Sequence, residues 1–456
     1  MNSPARDAEL GISDLSLQGE GIGRLADGSV VFVAGALPGE RVRVRLQGRQ
    51  RNRWQAELVA VVDPSPDRRR PPCILADHCG GCSLQPLADA AQAAWKEAQV
   101  RQTLQRLGRI EAAVRPILRC EQPLGYRNRA VIPLQRTDEG ILRAGYYRRG
   151  SHRIVNLNRC PVLDPRIDAL IAPIKSDLEA TAWPVDRHGG GGLRHLALRV
   201  GAGSGEILVT LVSRAVADLP GVEELAALWM ARWPEVVGVT LNLQPEPSNR
   251  LFGERSLCLA GRPWLRERFA GQEIRLGAES FFQVNTHQAE AVVPLLDEAL
   301  AGSEGLLIDA YCGVGTFSLP LAERGWQVLG LEQQHAAVDL AQGNAERLAL
   351  AARARFLAGD VAALLPVQLR ERQPSALLLD PPRKGLAPEV LAAISAQPPP
   401  LLLYLSCDPA TLARDLARLC DQEQGVYGPE WLQPLDFFPN TSHIECLAVL
   451  RRRHAG

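Results

Sequence analysis

The pattern of apolar and polar positions changes character several times along the chain. Residues 10–62 alternate short apolar stretches with glycine turns, and Val30–Val33 and Val42, Val44 and Leu46 carry the period of strands. Five such stretches predict a small β-barrel. DPSPDRRRPP (63–72) is a linker by composition, stiffened by proline. Residues 87–109 are alanine-rich with leucines at helical spacing and Gly108 at the end, which predicts a single helix. From 115 to about 270, strand-like segments such as YRNRAVIPLQ alternate with glycine- and proline-rich loops and predict a mostly antiparallel α+β region. Beyond 271 the apolar runs GLLIDA, WQVLGLE, ARARFLAGD, SALLLDPP and PLLLYLSCDP alternate with helical spacing. That alternation predicts a doubly wound parallel sheet. The expected α/β architecture is thus an N-terminal barrel (1–62), a central α+β domain (63–270) and a Rossmann-like C-terminal domain (271–456).

Composition adds little to this, but charge does. Residues 1–160 hold 25 Lys and Arg against 16 Asp and Glu, leaving 26 against 35 in the remainder. A basic end on an acidic one points to an anionic partner gripped at the N-terminal side. Arg41, Arg43 and Arg45, then Arg49, Arg51 and Arg53, form an outward stripe on the predicted barrel, a platform for RNA or another single strand. Tyr126, Arg127, Asn128 and Arg129, with Tyr146, Tyr147, Arg148, Arg149, His152 and Arg153, interleave rings and cations as base-stacking surfaces do. The N-terminus has no basic flank before an apolar stretch, and no uncharged apolar run is long enough to span a bilayer. A soluble, cytoplasmic, monomeric protein without a membrane partner is expected.

The chemistry gathers at predicted strand ends. Gly313 and Gly315 follow the strand GLLIDA and open a helix, Glu332 ends the next strand, and Asp360 the one after. This series reads as a nucleoside-binding crevice with an acidic grip on ribose. The third glycine of the dinucleotide fingerprint is missing, which favours S-adenosylmethionine over NAD. Asp380 and Cys407 end two further strands. A thiol there, beside a helix N-terminus, is expected to have a lowered pKa.

FFQVN (281–285), DAYCGVGTFSLPLA (309–322), LLLDPPRKG (377–385), SCDPATLARD (406–415) and FPNTSHIECLAVL (438–450) resemble, in order, the motifs of the RNA uracil-5 methyltransferase family. VVFVAGALPGE resembles the OB-like TRAM barrel that many members carry. The resemblance covers nearly the whole chain and implies a class I methyltransferase domain that uses S-adenosylmethionine. It implies Cys407 as the nucleophile that attacks uracil C6 and Glu445 as the base that removes the C5 proton. It places Gln283, Tyr311, Thr316, Glu332, Asp360 and Asp380 on positions that bind the cofactor or uracil. Thr316 and Asp408 stand where many members have Asn.

Ten cysteines without a secretion signal argue against disulfides. Cys73, Cys79 and Cys82 form C-x5-C-x2-C, which by spacing alone suits part of a zinc site, with His78 in the loop, or part of an iron–sulfur site. The resemblance implies a [4Fe–4S] cluster completed by Cys160, as in the branch acting on 23S ribosomal RNA; tRNA is the alternative substrate. Two other readings compete. A radical methylthiotransferase would want C-x3-C-x2-C, and a non-catalytic RNA-binding factor would not need Cys407, Asp380 and Glu445.

Overall fold

The computed structural model describes residues 6–50, 53–185, 191–246 and 250–453; Arg51 of the basic stripe lies outside them. Strands β1 (Arg6–Leu15), β2 (Glu20–Arg24), β3 (Val30–Ala34), β4 (Arg41–Gln50) and β5 (Arg53–Asp63) close into a barrel of order β1-β2-β3-β5-β4. Alternation decides its core: Val31, Val33, Val42 and Val44 are fully buried, while Arg41, Arg43 and Arg45 point outward. The linker is less free than its composition implies. Arg68 donates to Glu40, which is buried in the barrel, and to the Gly35 carbonyl at 2.6 Å.

Helix α1 (Asp89–Thr103) leads towards a central sheet of β6 (Arg129–Arg136), β7 (Leu142–Ala144), β8 (Leu193–Val200), β9 (Ile207–Ser213), β10 (Val236–Leu243) and β11 (Arg255–Gly261). Helix α2 (Pro165–Ala180) precedes β8, and α3 (Val222–Arg232) connects β9 to β10. The order is β11-β10-β9-β8-β6-β7, antiparallel except between β9 and β10, where the α3 crossover makes a parallel pair. The hairpin of β12 (Trp264–Phe269) and β13 (Gln272–Gly277) follows, then the short helices α4 (Thr286–Glu290) and α5 (Val292–Leu300).

The C-terminal sheet has order β16-β15-β14-β17-β18-β20-β19. Its parallel strands are β14 (Leu306–Ala310), β15 (Gln327–Glu332), β16 (Ala354–Ala358), β17 (Ala376–Leu379) and β18 (Leu401–Ser406). Helices α6 (Ser318–Glu323), α7 (His335–Arg347), α8 (Val361–Arg372) and α9 (Pro388–Ala396) cross between them, and α10 (Pro409–Leu419) leads out of β18. β19 (Tyr427–Leu435) and β20 (Glu445–Arg452) are antiparallel, β20 lying beside β18. Continuous apolar runs form these strands because both faces are covered: Leu401, Leu403 and Leu405 feed one core, Leu402 and Tyr404 the other. After β16 the chain returns past β14 to lay down β17, so the topological switch point lies between β14 and β17.

Helix α1 packs on this C-terminal sheet, not only on its sequence neighbours. Val100 and Leu104 share a core with Leu402 and Tyr404, and Arg115 stacks on Trp431 at 3.7 Å. Among the described residues no helix is long and apolar enough to cross a membrane.

Candidate active site

Three strand ends meet at one edge of the C-terminal sheet. Ser406 of β18 pairs with Cys446 of β20, and because the pair is antiparallel the residue after Ser406 and the residue before Cys446 put Cys407 and Glu445 opposite one another. Leu379 of β17 pairs with Tyr404 of β18, which sets Asp380 at the same edge. Gln283, in the segment before α4, donates through Nε2 to Asp380 Oδ2 at 3.1 Å. The sequence therefore brings together four of its candidates from separate parts of the chain.

Their electrostatics are those of a crowded anionic pocket. Glu445 is 5% exposed, and burial, with Asp380 adding, holds its carboxyl well above the usual range. Asp380 keeps a partial opening to the crevice, yet burial and then Asp309 push it up to about 7. Burial, then Glu445 and Asp380, push the half-buried Cys407 thiol up to about 12. The expectation of a lowered thiol pKa is therefore overturned. The N-terminus of α10 is taken up by the Asp408 carboxylate, which accepts from the Ala410 and Thr411 amides at 2.8 and 3.1 Å. The cation that works the other way is Arg383, which favours the charged forms of Cys407 and Glu445. Arg383 lies 3.4 Å from His443 Nε2, and burial with the charge of Arg383 pulls that imidazole down to about 4, so it is neutral at pH 7. Sequence reading missed Arg383, although it sits inside the quoted DPPRKG.

The cofactor candidates gather around the switch point. Glu332 accepts from the Gly313 amide at 3.1 Å and the Gln334 amide at 2.8 Å, so it shapes the glycine loop. Gly315 has φ +83°, and a Cβ there would stand 3.1 Å from Leu319 and 3.2 Å from Phe356; only glycine suits both conditions. Tyr311 takes φ +70° without being glycine, a strain typical of functional loops. Burial, with Asp360 near enough to add, pushes its phenol up to about 12. Asp360 is exposed and caps α8, accepting from the Ala362 amide at 3.0 Å, while Thr316 is buried where the loop enters α6. Asp309, absent from the sequence-based set, is 2% exposed, accepts from the Ser318 hydroxyl at 2.5 Å and is pushed up to about 7 by burial. Its signal was its place at the end of the first strand.

Cys73, Cys79, Cys82 and Cys160 lie in the segments before α1 and α2, not on the strand ends of the C-terminal sheet, all half-buried. Burial pushes Cys82 to about 11 and Cys160 to about 12, and each of these thiols is raised further by neighbouring cysteines of the set. Among the described residues no three or more His, Cys, Asp or Glu are spaced to hold a metal ion.

The expected aromatic and basic surface divides. Tyr126 is buried and donates to the Pro439 carbonyl at 3.1 Å, and Asn128 is buried and donates to the Gln283 carbonyl at 2.8 Å. Arg129 is bound to the Ala278 carbonyl at 3.0 Å, so these three serve the interior. Tyr147, Arg148, His152 and Arg153 are exposed. On the barrel, Arg41 is held by Asp63 at 2.8 Å and Arg45 by Asp7 at 3.1 Å, so acidic neighbours partly neutralise the stripe. Arg49 and Arg53 lie over Trp54 and Phe32 at 6.0 and 5.4 Å.

A doubly wound sheet with a glycine loop and acidic strand ends at its switch point defines a class I methyltransferase, whose methyl donor is S-adenosylmethionine. The family described as tRNA (uracil-5-)-methyltransferase matches residues 267–453, and the TRAM domain matches residues 8–59. An uncharacterised RNA methyltransferase of Parasynechococcus marenigrum is 51% identical over 453 residues, covering 98% of this chain and 96% of that protein. Another, of a Synechocystis strain, is 47% identical over 448 residues, covering 97% and 95%. The crystal structure of Pyrococcus abyssi tRNA (uracil-54, C5)-methyltransferase with S-adenosyl-L-homocysteine superposes with TM-score 0.75 at 26% identity, over 97% of this chain and 99% of that one. The chain belongs to the RNA uracil-5 methyltransferase family, and it is an enzyme of that type.

Proposed function

We propose that this enzyme methylates C5 of one uridine in 23S ribosomal RNA through a covalent adduct between Cys407 and uracil C6. The observation that carries the reading is the meeting of Cys407, Glu445 and Asp380 at the ends of β18, β20 and β17. C5 of uracil is a poor nucleophile. Attack of the Cys407 thiolate forms the Sγ–C6 bond and sends the C5–C6 π electrons into an enolate, which makes C5 nucleophilic. S-adenosylmethionine, when bound, would supply the methyl group that C5 takes, leaving as S-adenosylhomocysteine, and its positive sulfonium would favour the ionised form of a nearby thiol. Glu445 then takes the C5 proton, the C5–C6 double bond re-forms and Cys407 leaves as thiolate. Asp380, steadied by Gln283, is placed to accept from uracil N3. Tyr311, Thr316, Glu332 and Asp360 bind the cofactor. The uridine must be unpaired or flipped, because C6 is out of reach inside a stacked helix.

The division at residues 62 and 270, and action as a monomer in the cytoplasm, belong to the same proposal. So does the cluster: Cys73, Cys79, Cys82 and Cys160 are donors of the right kind and number for [4Fe–4S] and lie near enough to raise one another's thiols, although as they stand they are not drawn to ligand spacing. It would pin the linker to the central sheet, because methyl transfer moves no net electrons. These cysteines favour ribosomal RNA, whereas the likeness to the Pyrococcus abyssi enzyme favours tRNA as the second reading. Mapping 5-methyluridine in ribosomal and transfer RNA from a deletion strain decides between them. Loss from 23S RNA alone supports the first reading, and loss from tRNA alone overturns it.

A further inference from the structure

The segment from Asp436 to His443 joins β19 to β20 and ends just before Glu445, yet its shape is imposed from the other end of the chain. At its centre Asn440 is fully buried and takes φ +67°, a conformation that costs energy for a residue other than glycine. Its backbone amide donates to Gln92 Oε1 at 2.8 Å and its carbonyl accepts from the Leu84 amide at 2.9 Å. Its side chain accepts from Arg69 at 2.7 Å through Oδ1 and donates to the Pro123 carbonyl at 2.8 Å through Nδ2. Lys96 adds bonds to Asp436 at 2.6 Å and to the Phe438 carbonyl at 2.9 Å, and Ser83, next to Cys82, accepts from the Ser442 amide at 3.1 Å. So many satisfied bonds on one strained, buried residue mark a lock. What it holds still is the run that carries His443 and leads into Glu445 at the start of β20.

We propose that Asn440 is a positioning residue for proton removal: it fixes the segment leading into Glu445 against the linker, the cysteine loop and α1, and so sets the reach of the carboxylate, at the first residue of β20, to C5. The proposal rests on Glu445 being the base. A displaced base slows only the step that uses it, whereas attack by Cys407 and methyl transfer stay intact. Misplacement on the scale of an ångström costs about a hundredfold.

The test uses full-length Asn440→Gly, which deletes the side-chain bonds while removing the strain, with Gln92→Ala as a second cut in the same lock. RNA substrate and labelled S-adenosylmethionine are followed through one turnover, separating label entering the denaturation-stable protein–RNA adduct from label leaving it as free RNA. The expected result is adduct formation within about twofold of the native rate and release about tenfold to a hundredfold slower in both variants. A general loss of structure would slow both steps together, and that result overturns the proposal, as does normal release. Glu445→Gln run in parallel keeps the two ideas separate. If it accumulates adduct and the Asn440 and Gln92 variants do not, Asn440 is not the positioning residue; if it turns over normally, the assignment of the base fails instead.

Discussion

Asp380→Asn should make the protein more stable while removing activity, and the gain should depend on pH. The folded state holds the Asp380 carboxyl at about 7, and an unfolded chain leaves it near 3.9. Between those values the folded state binds more protons than the unfolded one, so this group's contribution to stability falls as pH rises through the window and levels off above 7. At pH 8 the penalty for ionising the buried group is about 4 kcal/mol, an upper bound because the crevice opens to water; at pH 5 it is only about 1.5 kcal/mol. Asparagine keeps an oxygen for Gln283 and never ionises. Calorimetric melts without cofactor should therefore show the variant above the native protein at pH 8 by several degrees, with the gap shrinking by more than half at pH 5. An equal gap at both pH values, or a variant less stable at pH 8, would show that Asp380 is not a buried carboxyl held away from ionisation.

Lys96→Met should cost about 3–5 kcal/mol, because it strands Asp436, and Lys96→Met with Asp436→Leu should recover much of that loss; a double variant as unstable as the single one contradicts the pairing. Changing Arg41, Arg43 and Arg45 to Gln should weaken RNA binding and reduce its salt slope by about 0.7 for each single-strand phosphate no longer neutralised. An unchanged slope means that Asp7 and Asp63 already neutralise the stripe. Protein purified without oxygen should be brown with about four irons per chain, and Cys160→Ser should lose them; stoichiometric zinc without iron refutes the cluster.

What local pattern encodes, the sequence made legible. Alternation around Val31 and Val42 announced the barrel, and the run from Leu401 to Ser406 announced a strand buried on both faces with Cys407 at its end. The environment of that thiol was not legible, because it depends on groups distant in sequence. Glu445 reaches Cys407 through an antiparallel pairing made after α10 and β19, and Asp380 arrives on a separate strand. Alternating rings and cations also failed to separate buried from exposed positions: Tyr126, Asn128 and Arg129 bind backbone carbonyls of the 278–283 and 439 segments, which come from far along the chain. The docking of α1 on the C-terminal sheet escaped notice for the same reason.

The covalent route is tested most directly by denaturing electrophoresis of Cys407→Ala and Glu445→Gln after incubation with RNA and labelled S-adenosylmethionine. Without attack at C6, C5 never becomes nucleophilic, so Cys407→Ala should give neither methylated RNA nor a shifted band. Glu445→Gln should stop after both attack and methyl transfer, leaving a shifted, labelled band in which the RNA is linked to Cys407 and already methylated. Methylation by the Cys407 variant, or normal turnover by the Glu445 variant, would contradict the account.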